Sequence, residues 1–204
     1  MLKLLLQILG WLTARTPEPL LRTACAILGD LLFFCAPRRR RLLLANLHHA
    51  FPARSAAWSR TLARDCARRL IETGFLSLAM PFLAPSRLQR IAWVSVAMRR
   101  VCREQVASPR PTLIATMHFT GWEMQTTLPL LLGADSPGFN TIFRPLDNPT
   151  LDAWVQATRS RFGVKMLSRK RGFSEALQIL RQRGVVALLF DQNAGLQGAL
   201  TTLY

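Results

Sequence analysis

The four residues Ser108-Pro109-Arg110-Pro111 divide the chain into two stretches that must fold differently. Two prolines in three positions fix φ and remove two backbone donors, so neither a helix nor a central strand runs through them. Before this hinge, apolar residues recur at helical spacing. After it, short apolar and β-branched runs at 112–117, 141–143 and 185–190 alternate with helix-like segments opening at Trp122, Asn148 and Ser174. That alternation predicts an α/β fold, a helical region followed by a mainly parallel sheet covered by helices. At 204 residues the chain suits one domain of ordinary size with a real core.

The helix boundaries carry recognisable signals. Residues 55–80 place Trp58, Leu62, Cys66, Leu70 and Thr73 along a helical stretch that Pro81 closes. Ser86 and Gln89 form a capping box, predicting a second helix from Ser86 toward Val106. Asn148 precedes a proline at the first helical position, then Leu151, Trp154, Val155, Thr158 and Phe162, with Gly163 as the stop. The segment 174–183 has a serine cap and ends at Gly184.

The N-terminal segments are apolar. Residues 1–12 are leucine-rich, too short to span a bilayer, interrupted by Lys3 and Gln7, and followed by no small-x-small cleavage site. Residues 19–36 approach the ~20 apolar residues that a crossing needs. Four arginines at 38–41 predict that the chain beyond them is cytoplasmic and close to anionic headgroups. These features predict a single membrane anchor with a basic flank over 1–41. Arg22, Ala26, Gly29, Asp30 and Phe33 fall on one stripe, which leaves open a helix turning that side to protein.

Charge narrows the partners. The chain has 27 Lys+Arg against 11 Asp+Glu, a net charge of +16, and nearly all the cations are arginine. Arginine binds phosphate through two donors and keeps its charge when partly desolvated, so anionic lipid, nucleic acid and an acidic carrier protein are the candidates. A single tyrosine and no basic–aromatic RNA-binding motif argue against nucleic acid. Hydrophobic residues make up 50%, and a mean hydropathy of +0.18 is high for a soluble protein but low for a polytopic membrane one. Cys25, Cys35, Cys66 and Cys102 form no C-x-x-C pair and read as buried thiols in a reducing compartment. With only His48, His49 and His118 available, no metal site is predicted.

In open α/β sheets, ligands gather beyond the carboxyl ends of strands. His118, Arg144 and Asp191 each follow a strand-like run. Three such residues at equivalent strand ends predict one site. Glu123 lies five residues after His118, a spacing that puts the two on different faces of one continuous helix. A working pair therefore needs His118 at the strand end and Glu123 beyond Gly121, folding back to orient the imidazole of a general base. Arg159 and Arg161 either bind phosphate or simply satisfy a helix C-terminus.

The stretch His118-Phe119-Thr120-Gly121-Trp122-Glu123 has the His-x4-acid spacing of glycerolipid acyltransferases. Its wording resembles the lauroyl/myristoyl-type lipid A biosynthesis acyltransferases of Gram-negative bacteria. Three other segments resemble that family in the same order. They are the run Arg38-Arg39-Arg40-Arg41 leading to Asn46-Leu47 and Ala50-Phe51-Pro52; the block Phe143-Arg144-Pro145, Asn148-Pro149, Leu151-Asp152, Arg159, Arg161 and Gly163; and Asp191-Gln192 with Gly195 and Gly198. Members of the family continue past the Asp-Gln block, so the resemblance implies an acyltransferase domain over 42–204 that is incomplete at its C-terminal end.

The resemblance implies transfer of a fatty acyl chain from an acyl-carrier-protein thioester to a hydroxyl of a lipid A precursor. The setting is lipopolysaccharide or lipooligosaccharide biosynthesis at the cytoplasmic face of the inner membrane. No cofactor is implied, and neither is a serine or cysteine nucleophile, so transfer is expected to be direct. His118 would take the proton, Glu123 would hold the imidazole, Arg144 would bind phosphate or developing charge, and Asp191 would position Arg144 or the acceptor. Two other readings stand beside this one: an acyltransferase acting on another glycolipid, an aminolipid or a glycerol phosphate, and a non-catalytic basic membrane-surface protein.

Overall fold

The computed structural model describes residues 2–168 and 172–191. The chain separates into two compact units between Ala84 and Pro85. This is not the expected boundary after residue 41, because the apolar N-terminal helices share a core with the long helix that follows them.

The first unit is helical: α1 (Leu2–Arg15), α2 (Glu18–Cys35), α3 (Pro37–Ala50) and α4 (Ala56–Ala79). Pro37 ends α2 and starts α3, since the residue before a proline is pushed out of the helical region. The two helices meet at 94°. Ser55 caps α4, its side chain accepting from the Trp58 N–H. Leu21, Cys25 and Gly29 are the buried residues of α2, and Ser59, Ala63 and Ala67 line the buried side of α4. Both rows run at i, i+4, the spacing of ridges that interlock between helices. Small residues bring the backbones close: a Cβ on Gly29 would collide with the backbone of Arg68, and one on Gly10 with the Leu78 carbonyl.

Polar contacts reinforce that face. Asp30 of α2 accepts from Arg64 Nε at 2.6 Å and from Arg68 Nε at 2.7 Å, both on α4. The stripe containing Gly29 and Asp30 therefore faces protein. No single helix among the described residues is long and apolar enough to cross a membrane, although α2 and α3 together meet that length and composition across their bend. The arginines at 38–41, expected as the basic flank of an anchor, lie in the first turns of α3. Outward, α1 and α2 keep large apolar residues in solvent, among them Leu5 and Ile27, each 63% exposed.

The second unit opens with α5 (Pro85–Ile91) and α6 (Val96–Ala107). The single helix expected from Ser86 to Val106 is thus two. Pro85 occupies the first turn of α5, leaving Ser86 inside the helix, and Ser95 starts α6 by accepting from the Met98 N–H at 3.2 Å. Then come β1 (Thr112–Thr116), a 3-10 helix (Trp122–Thr127), α7 (Leu128–Leu132), β2 (Phe139–Phe143), α8 (Pro149–Arg159), β3 (Lys165–Ser168), α9 (Gly172–Arg181) and β4 (Val185–Leu189). Among the described residues, these four strands form one parallel sheet in the order β1-β4-β2-β3.

Alternation along β4 divides the core between the two faces of the sheet. Val185 packs with Cys102, Leu132, Phe139 and Val164 on one side. Val186 packs with Leu167 and Ala176 on the other. Cys102 brings α6 into the sheet core, so the prolines at 109 and 111 mark a tight connection inside this unit. Gln105 pins it: its amide nitrogen donates to the carbonyls of Arg110 at 2.6 Å and Arg183 at 3.2 Å, and its oxygen accepts from Thr112 Oγ1 at 3.1 Å. Of the four cysteines, Cys25 and Cys102 are buried, whereas Cys35 and Cys66 sit on outward helix positions and are exposed.

Two glycines of the first unit should respond to substitution with opposite signs. Gly29→Leu drives a side chain into the α4 backbone and is expected to cost ~1–3 kcal/mol. Gly74→Ala, in a helix interior with open space around it, is expected to gain about 0.5–1 kcal/mol. Denaturant unfolding of both variants checks this; equal shifts would refute the close α2–α4 packing.

Candidate active site

The strand order puts three expected site residues at neighbouring strand ends. β1, β4 and β2 lie side by side, with Thr116 opposite Leu189 in the register. His118, Asp191 and Arg144 follow them in turn, the last directly after Phe143. The Phe190 N–H continues the ladder to the Thr116 carbonyl at 3.1 Å, which carries Asp191 up to His118.

Asp191 holds His118 twice. Its Oδ2 accepts from the His118 backbone N–H at 2.8 Å, and its Oδ1 lies 2.8 Å from the ring Nδ1. An ionised carboxylate only accepts, so the proton between them belongs to Nδ1 and Nε2 is left as the basic nitrogen. The ring hydrogen bond, helped by the backbone one, holds the Asp191 carboxyl below the ordinary carboxylate range, against the desolvation that pushes it up. This anchor is therefore complete above the ordinary aspartate value and is lost only as pH falls through the depressed one.

Glu123 does not take the place expected for it. Its carboxylate receives Arg159 through two bonds, Nε to Oε2 at 3.0 Å and Nη2 to Oε1 at 2.5 Å. The pair is largely enclosed, with side-chain exposures of 18% for Arg159 and 15% for Glu123. The reason is the local helix type. Gly121 adopts a left-handed φ of 77°, turning the chain into a 3-10 helix, in which residues three apart eclipse. Trp122 and Gln125 thus share the side facing β1. Gln125 donates to Thr116 Oγ1 at 3.0 Å, and the Trp122 ring meets the His118 ring edge-on at 5.2 Å. Glu123 is a third of a turn away and looks toward α8.

Arg159 reaches Glu123 from the last turn of α8, where the helix dipole favours a cation. Asn148 starts that helix, its side chain accepting from the Thr150 and Leu151 N–H groups. The Arg159 guanidinium also lies 5.0 Å from the centre of the Trp122 ring. Trp122 therefore touches both the imidazole and the arginine of this ion pair. Arg161 is not brought to the cavity lining; its guanidinium stacks on Phe162 at 4.8 Å.

Arg144 is exposed and lines the same cavity as His118, Trp122 and Arg159. The cavity has a volume of about 700 Å³, and apolar residues such as Ile114 and Phe139 supply most of its wall. That size and lining suit a ligand with an apolar body. Among the described residues no carboxylate pairs with Arg144, in contrast to Arg159. Gln192, Gly195 and Gly198 lie outside the described residues.

A family model described as "Bacterial lipid A biosynthesis acyltransferase" matches residues 1–201. The chain is also similar to the lipid A biosynthesis lauroyltransferase of Escherichia coli (strain K12), at 32% identity over 177 residues. That alignment covers 82% of this chain and 54% of the relative, so the chain spans about half the length of the curated protein it matches. With nearly the whole chain matched and its His-x4-Glu stretch lying in the matched region, the chain belongs to the bacterial lipid A biosynthesis acyltransferase family.

Proposed function

We propose that the chain carries the catalytic end of an acyltransferase that moves a fatty acyl group from an acyl-carrier-protein thioester to a hydroxyl of a lipid A precursor. Family membership and the lauroyltransferase relative support the reaction class and the type of acceptor. The observation that carries the chemistry is the imidazole of His118, fixed through Nδ1 by a carboxylate beside an apolar cavity. A base held in one tautomer at the edge of such a cavity suits proton removal from a hydroxyl.

In this mechanism the acceptor hydroxyl gives its proton to His118 Nε2 as its oxygen attacks the thioester carbonyl. The C–S bond then breaks, and the departing thiolate recovers the proton from the imidazolium, leaving an ester and a carrier thiol. Arg144, with no carboxylate partner among the described residues, meets an acceptor phosphate or the charge that develops on the carbonyl oxygen. The acyl chain fills the cavity, each buried methylene contributing ~0.8 kcal/mol. The surplus of arginine suits both an acidic carrier and a phosphorylated acceptor.

The first unit supports residence at the cytoplasmic face of the inner membrane, held there by the apolar outer sides of its N-terminal helices. The outer sides of α1 and α2 are apolar, the pattern of a helix seated among headgroups and acyl chains. The arginines at 38–41 occupy the end of α3 where the dipole disfavours cations, and anionic headgroups would offset that cost.

His118→Ala is expected to lower turnover at least ~10²-fold, measured with a labelled acyl-carrier thioester and a panel of lipid A precursor, glycolipid, aminolipid and glycerol phosphate acceptors. Arg144→Lys is expected to fail almost as badly as Arg144→Ala, because an ammonium does not fork to two oxygens. Near-normal turnover with lysine would reduce Arg144 to part of the general basic surface. Vesicle flotation is expected to require anionic lipid and to weaken with salt and on neutralising residues 38–41; equal flotation with neutral vesicles would refute the seat.

A further inference from the structure

Two acids stand near His118, and the spacing that drew attention to the site pairs the histidine with the wrong one for a direct contact. Asp191, 73 positions away, binds both the ring and the backbone of His118 at 2.8 Å. Glu123, five positions away, is spent on Arg159. Trp122 touches both assemblies: its ring meets the imidazole edge-on and carries the Arg159 guanidinium over it.

We propose that the two acids divide the work: Asp191 fixes the tautomer and aim of His118, while Glu123 acts on His118 only through Arg159 and Trp122. Both are positioning residues, and the proposal rests on the reading of His118 as general base. Each assignment follows from what the carboxylate touches. Asp191 faces Nδ1, so its charge stabilises the imidazolium that forms when Nε2 takes a proton. Glu123 neutralises a largely enclosed guanidinium; without it Arg159 would lose its partner and with it the cation–π seat that fixes the indole. The indole in turn limits the rotation of the imidazole ring about the bonds that Asp191 does not hold.

The arrangement also distinguishes the two arginines of the central block. Arg159 is already bound and serves Trp122. Arg144 is exposed at the cavity lining and is left to meet substrate.

The separating measurement is the pH dependence of kcat/KM in the full chain, together with rescue. Asp191→Asn removes the charge facing Nδ1 and allows the wrong tautomer, so turnover should fall on the order of 10⁴-fold. The acid limb of its profile should also move to lower pH, because the imidazolium has lost its counter-charge. Glu123→Gln should cost ~10²-fold through misplacement of the base, with the acid limb unmoved. Arg159→Lys keeps a cation for both Glu123 and the Trp122 ring and should retain most of the turnover that Arg159→Ala loses. Circular dichroism of each variant confirms that the sheet is retained. A shifted acid limb in E123Q with an unmoved one in D191N would overturn the assignment, and so would an R159K variant no better than R159A. If His118→Ala were tolerated, the general-base reading itself would fail, a result separate from either of these.

Discussion

Asp191 accepts two hydrogen bonds from one residue, and both exist only because β1 and β4 are parallel neighbours that end at the same level. The backbone N–H of His118 and its ring Nδ1 converge on the two oxygens of a single carboxylate. One bond fixes where the strand end lies and the other fixes which way the imidazole faces. Parallel pairing makes this natural: equivalent residues of adjacent parallel strands leave the sheet on the same side, and their carboxyl ends open onto a common crevice. The continuation of the ladder from Phe190 to Thr116 carries the register to within one residue of the site.

Around that contact the second unit supplies rigidity in layers. The sheet is covered by α6 and α7 on one side and, over β2, β3 and β4, by α9 on the other, while Leu113 and Ala115 of β1 stay exposed. Gln105 fastens α6 to the start of β1 through the connection containing both prolines, so the strand that presents His118 is held at its far end as well. The 3-10 helix after Gly121 then lays Trp122 against the imidazole and sends Glu123 toward α8. The imidazole is thus bounded by a carboxylate and an aromatic wall that is itself braced by an ion pair.

Much of this was legible in the sequence, and the misses have physical causes. The β-branched runs at 112–117 and 185–190 identified two strands and the residues at their ends, and Asn148 with Pro149 marked the start of α8 correctly. β3 escaped because only Met166 and Leu167 of its four residues are apolar, too short a pattern to stand out. The orienting role of Asp191 depends on β4 lying beside β1, and strand order is not written in local periodicity. Glu123 was assigned to the imidazole because the turn at Gly121 was expected to fold it back. That turn instead leads into a helix of three residues per turn, and a partner 36 positions away decides the outcome. The apolar 19–36 segment resembles a span in composition, but Asp30 and Gly29 show that one of its sides belongs to α4.

The tautomer of His118 tests the central claim most directly. Nitrogen-15 NMR of histidine-labelled protein, with His118 assigned by its absence from H118A, reports which ring nitrogen carries the proton. The account requires a neutral ring protonated at Nδ1 with an unprotonated Nε2, a state lost in D191N and kept in E123Q. A ring protonated mainly at Nε2, or one averaging between tautomers as free imidazole does, would contradict it.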